Sequence, residues 1–161
     1  MRWPALLLAM IWTAQADAAP AGLTPGMPVP QFSRPDFAGN LVEMSAYRGK
    51  VVLIDFWASW CAPCLVEMPH LIHLQNRYRS RGLRVIGISM DDSAGAAKAV
   101  VGRFPFNYPL LLGDTKLGLR FGGILGLPEE MLVGRDGKIL HVWRGEIPAA
   151  SIDAAVKAAT G

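Results

Sequence analysis

Cysteine is scarce in this chain: there are two, Cys61 and Cys64, three positions apart. A disulfide framework needs four or six, so a fold held together by disulfides is excluded. A bridge between such near neighbours closes a tiny loop and removes little entropy from the unfolded chain, so stapling explains the pair poorly. Charge is also sparse, at 18% of residues with a formal net charge of +3, and no dense Lys/Arg run or basic stripe interleaved with aromatics occurs. Nucleic acid binding therefore lacks its electrostatic footprint. No segment reaches the roughly 20 apolar residues that cross a membrane comfortably; the N-terminal run Ala5 to Trp12 falls short. There are no internal repeats, and nothing in the pattern calls for a cofactor.

What is present describes one packed domain. The 161 residues are 52% hydrophobic, with ample Gly and Pro for turns. The first eighteen read as an export signal: Arg2 is a short positive region, Ala5 to Trp12 an apolar core, and Ala14-Gln15-Ala16 and Ala16-Asp17-Ala18 are small-residue cleavage sites. The expected division is a signal peptide at 1–18, cleaved after Ala18, and a domain at 19–161. An uncleaved N-terminal anchor is the alternative. Export would place both cysteines where disulfides persist.

Hydrophobic periodicity lays out the domain. Gln31 to Ser33 and Leu41 to Met44 flank a glycine-containing loop and read as a hairpin. Val51 to Trp57 is almost wholly apolar, as a strand covered on both faces must be. A helix is expected from about Ala62 to Ser80, with Leu65, Met68, Leu71, Ile72 and Tyr78 on one face and Pro69 kinking it. Leu83 to Ser89 is a second core strand, followed by an Ala-rich helix from Ser93 to Arg103. After an extended piece at 106–112 and a short helix at 115–121, Glu130 to Val133 and Lys138 to Trp143 form a hairpin. A closing helix runs from Pro148 to Ala159. The fold class is α/β, a central mixed sheet covered by helices on both faces.

The junction between the first core strand and its helix puts Cys61 at the helix start and Cys64 one turn in. Unpaired amides and aligned peptide dipoles there favour negative charge, and such pairs have a cysteine pKa lowered from about 8.5 to about 3.5–7.5. Cys61 is then a nucleophile near neutral pH, and Cys64 can attack the mixed disulfide it forms. Pro63 stiffens the turn between them. A zinc site using His70 and His73 is the main rival. On one continuous helix Cys64 and His73 would lie about 13 Å apart, whereas zinc needs its ligands within about 2.3 Å of the metal. A structural disulfide and a pair of inert buried thiols remain as alternatives. The methionines are scattered at core-periodic positions and do not make a copper site.

The segment Val52-Leu53-Ile54-Asp55-Phe56-Trp57-Ala58-Ser59-Trp60-Cys61-Ala62-Pro63-Cys64 resembles the active-site segment of thioredoxins. The fit is closer to the exported TlpA/ResA-like branch, related to CcmG (DsbE), and spans roughly Gly26 to Gly161. The resemblance implies a thioredoxin fold with an added N-terminal β-hairpin, in which Cys61 attacks and Cys64 resolves. Gly126-Leu127-Pro128-Glu129-Glu130-Met131 resembles the family's segment around a cis-proline. That implies a Pro128 facing the dithiol and a client strand pairing beside Leu127. Here Glu130 and Met131 stand where Thr and Phe are frequent, and Gly134 replaces an acid, changes expected to affect the rim.

Asp55 matches the buried acid of thioredoxins; in an apolar strand its pKa should rise, making it a proton acceptor for Cys64. Gly87 stands where thioredoxins carry a lysine, so that pairing partner is missing. Glu67, about one turn after Cys64, matches an acid of the ResA-like pattern. Trp60 offers a flat contact for a client, and Trp57 belongs to the core. The expected function is an exported thiol-disulfide oxidoreductase, reducing client disulfides in maturation of cytochrome c or another metalloprotein such as a copper-site protein. The resemblance implies a membrane thiol reductase as electron donor, periplasmic location and a monomer. The alternatives are a general oxidant or isomerase and a copper(I) metallochaperone, with a peroxiredoxin-like peroxidase behind them.

Overall fold

The computed structural model describes residues 22–161. The expected signal peptide at 1–18 and the domain boundary at Ala19 lie outside the described residues.

The chain forms β1 (Ser33–Pro35), β2 (Leu41–Glu43), a 3-10 turn (Met44–Tyr47), β3 (Val51–Trp57), α1 (Ala62–Tyr78), a second 3-10 turn (Arg79–Arg81), β4 (Leu83–Ser89) and α2 (Ala94–Val101). Then follow β5 (Leu110–Leu112), α3 (Thr115–Arg120), β6 (Glu129–Val133), β7 (Ile139–Arg144) and α4 (Ala149–Thr160). The main sheet has five strands in the order β5-β4-β3-β6-β7. β3, β4 and β5 run parallel, while β6 is antiparallel to β3 and β7 antiparallel to β6. β1 and β2 make the separate hairpin, closed by Asp36, whose carboxylate accepts the Ala38 and Asn40 amides, and by Gly39 at φ +90°.

β3 is central, and all seven of its residues are buried, which is why its sequence shows no alternation. Its odd positions Val51, Leu53 and Trp57 face a core built with α1, α2 and α4, through Leu71, Leu74, Val100, Ile152 and Val156. Its even positions Val52, Ile54 and Phe56 face a second core closed by the hairpin (Phe32, Val42) and α3 (Leu117).

α1 buries Met68, Leu71, Leu74, Gln75 and Tyr78, so its inner face is rotated from the expected one, and Leu65 and Ile72 are only half-buried. Gln75 lies inside because β5 begins opposite Gly87, leaving the Val85 amide without a strand partner. The Gln75 carboxamide oxygen accepts that N–H at 2.7 Å, as a buried amide requires. Pro69 lies within α1, and Gly82 at φ +94° ends the helical stretch.

Candidate active site

Cys61 is the N-cap of α1, and Pro63 lies in the first turn, where no intrahelical N–H is needed. The two sulfurs are bonded at 2.04 Å with Cα atoms 5.3 Å apart. The Cys64 amide donates to the Cys61 sulfur at 3.3 Å. The same free amides of the first turn stabilise a thiolate at this position. Cys61 is 4% and Cys64 2% exposed, whereas Trp60 is 71% exposed.

The loop that presents the pair is anchored by a residue that sequence reasoning missed. Asp91, buried just beyond β4, accepts the Ser59 amide at 3.0 Å and the Ser59 hydroxyl at 2.6 Å. It also accepts the Ser89 hydroxyl at 2.8 Å, and the Met90 amide donates to the Trp57 carbonyl at 2.7 Å. The turn from β3 into α1 is thereby tied to the end of β4. An acid following a strand was the only sequence signal.

Beneath the helix start, one rung of the sheet carries the site's polar groups. Register places Leu110 beside Gly87, Gly87 beside Asp55, Asp55 beside Glu130 and Glu130 beside Trp143. Asp55 and Glu130 share the sheet face of Leu53 and Leu132, which belong to the same core as Cys61 and Cys64. Asp55 is 2% exposed and Glu130 0%. Burial holds the Asp55 carboxyl well above the usual carboxylate range, and the Glu67 charge adds to the effect. Glu130 is pushed up to about 10, first by burial, then by its contact with Glu67 and by Asp55. Glu67, half-buried on α1, is the third member.

Glu130 corrects the expectation that the departure at this position bears on the rim and on partner choice: it is fully buried. All five residues of β6 are buried, because packed layers cover the sheet on both sides, Leu132 facing one core and Met131 and Val133 the other, and the neighbouring glutamates are both enclosed. Glu129 points to the opposite face and lies 3.6 Å from Arg144. Burial raises its pKa and Arg144 opposes the rise. A β-carbon on Gly87 would lie 2.3 Å from Leu110, 3.3 Å from Trp57 Nε1 and 3.5 Å from Tyr108. The space at the lysine position of thioredoxins is thus filled by neighbours. Trp57 Nε1 and the Tyr108 hydroxyl are buried without hydrogen-bond partners among the described residues.

The Leu127–Pro128 peptide is cis. Pro128 is buried one residue beyond the last β3–β6 pair, Phe56 with Glu129, at the end of the sheet from which the dithiol loop leaves. Leu127 is half-buried against the core that holds both cysteines. Pro63, Val66, Glu67, His70, Glu146 and Ile147 line a shallow groove beside the helix start.

A mixed sheet with a disulfide-bonded Cys-x-x-Cys at the start of its first long helix defines a thioredoxin-fold thiol-disulfide oxidoreductase. Residues 24–157 match the Redoxin family model, and the chain belongs to that family. It is 30% identical over 121 residues to thiol-disulfide oxidoreductase ResA of Bacillus thuringiensis subsp. konkukian, covering 75% of this chain and 70% of that protein. Against ResA of Bacillus subtilis the identity is 26% over 135 residues, 84% of this chain and 75% of the other. Among solved structures, a Chlorobium tepidum protein assigned as thiol:disulfide interchange protein DsbE aligns with a TM-score of 0.80 and 31% identity. It covers 87% of this chain and all of its own.

Proposed function

We propose that the protein is an exported dithiol reductant of client disulfides, acting in the maturation of cytochrome c or another metalloprotein and recharged by a membrane thiol reductase. The observation that carries this reading is the Cys61–Cys64 pair at the N-terminus of α1, above buried Asp55 and Glu130. The likeness to ResA and DsbE supports the client class, and the signal-like residues 1–18 support a periplasmic location.

In the reduced protein the Cys61 thiolate attacks a client S–S bond, forming a mixed disulfide and releasing one client sulfur. Cys64 then loses its proton to a nearby carboxylate and attacks the Cys61 sulfur, so the second client sulfur leaves and the intramolecular disulfide forms. Asp55 and Glu67 are the proton acceptors in this scheme. Leu127, beside cis-Pro128, aligns the client backbone, while exposed Trp60 and half-buried Pro63 contact its side chains.

Trapping in cells tests the proposal. Cys64→Ala lacks the resolving thiol, so Cys61 should retain its clients as mixed disulfides. The expected result is cytochrome c or metalloprotein apoproteins bound to a periplasmic protein that begins at Ala19. Recovery of clients that bind no metal or haem would overturn the maturation reading.

A further inference from the structure

We propose that Glu130 is a positioning residue of the dithiol: with Asp55 and Glu67 it forms a proton-sharing carboxyl cluster beneath Cys64 that receives the resolving thiol's proton and passes one outward to the departing client sulfur. This rests on the dithiol exchange proposed above and adds a residue to it.

Three observations meet at Glu130. It neighbours Asp55 directly across the β3–β6 ladder. It is 0% exposed, and neither carboxyl oxygen has a hydrogen-bond partner among the described residues. The Glu67 carboxyl on α1, one turn beyond Cys64, is the acid of the neighbouring helix whose proximity adds to the rise at Glu130. A buried carboxylate with no donor is strongly disfavoured, so a neutral acid is the stable form.

Among the described residues, no cation contributes to reverse this. From β3 comes Asp55, from α1 Glu67, and from β6 itself Glu129, whose own partner is Arg144 on the opposite face. β7 contributes Trp143, with the exposed His141 ring stacked on it at 5.1 Å. The segment before β5 contributes Tyr108, whose pKa is raised by burial and by the charges of Asp55 and Glu67. On its outer side Glu67 shares the shallow groove with His70 and Glu146. Glu130 and Asp55 are therefore the buried acids of the cluster, and half-buried Glu67 is their route to solvent.

The step balances as follows. Cys64 gives its proton to a carboxylate of the cluster, its sulfur bonds to Cys61, and the Cys61–client S–S bond breaks. The client sulfur leaves with the electron pair and becomes a thiol with a proton released from Glu130 through Glu67. Two electrons pass from the dithiol to the client disulfide, and the cluster ends with the proton count it began with.

Carboxyl-carbon NMR on the wild-type protein, oxidised and then reduced, tests this directly. Glu130 is expected to stay protonated through neutral pH when oxidised, and its ionisation constant should change threefold or more on reduction. An ionised Glu130 at pH 7 in both states, or one midpoint for both, overturns the proposal.

A second measurement uses Glu130→Gln, which keeps the shape but cannot titrate. In a Cys61→Ala background, the thiolate absorbance titration of Cys64 should narrow and its ionisation constant change threefold or more. A curve superimposed on the Cys61→Ala parent overturns the proposal. Insulin-disulfide reduction separates the two readings. If turnover survives Cys61→Ala, the exchange reading falls. If turnover needs Cys61 while Glu130 is inert in both titrations, only the present inference falls.

Discussion

Asp55 occupies the middle of a strand with no exposed residue, where ionisation is opposed first by burial and then by Glu67. That has a consequence for stability. The unfolded chain releases the Asp55 proton in the ordinary carboxylate range, whereas the folded chain keeps it to higher pH. Above the unfolded value the native state binds more protons, so stability falls as pH rises toward the folded value. Asp55→Asn abolishes that dependence. The unfolding free energy of the variant, measured by urea denaturation, should gain on wild type between pH 5 and pH 8, with a slope of at most about 1.4 kcal/mol per pH unit. A gap that is equal at every pH would show that Asp55 is ionised in the native protein. Glu130 pulls in the same direction, because its carboxyl is also raised.

Elements turn these side chains into a site, and here the reach of the sequence was uneven. β3 and β4 were read with the bounds they have, because strands covered on both faces announce themselves as unbroken apolar runs. The start of α1 was equally legible, since Cys61-Ala62-Pro63-Cys64 combines a cap, a first-turn proline and a strand-to-helix junction. Asp55 was legible as a lone acid in an apolar run. Glu130 was not, because burial of both faces of β6 comes from the layers packed on either side of the sheet, which no local pattern contains. Asp91 and Gln75 were missed for a similar reason: each serves a distant amide, Ser59 and Val85, and only tertiary pairing reveals that need.

Asp91 gives the element scale its prediction. Asp91→Ala leaves the Ser59 amide and both hydroxyls without their acceptor and frees the β3–α1 turn. Hydrogen bonds to a charged group contribute about 1.5–3 kcal/mol each, with partial compensation by water. A loss of about 2–4 kcal/mol in urea denaturation is expected. Insulin reduction at pH 7 should fall several-fold, because Cys61 is no longer held at the helix cap. Full activity with unchanged stability would show that the turn is fixed by its backbone alone.

At the scale of the whole molecule, the sheet separates chemistry from support. The dithiol, Asp55 and Glu130 belong to the face covered by α1, α2 and α4. The hairpin and α3 close the other face, where Phe32 lies 6.1 Å from Phe121 and Phe121 lies 5.0 Å edge-on from Phe56. Phe56 and Asp55 are consecutive in β3 but point to opposite layers, as the twofold period of a strand dictates. Phe32→Ala should therefore cost stability without altering thiol chemistry. Truncating a buried phenylalanine costs about 3–5 kcal/mol, and the lower end fits a residue in the outer layer, near the surface. The urea midpoint should drop accordingly, while the thiolate absorbance titration of the reduced protein stays superimposed on wild type. A shifted titration would mean that strain crosses β3 from the supporting layer to the dithiol, and the two layers would have to be treated as one cooperative unit.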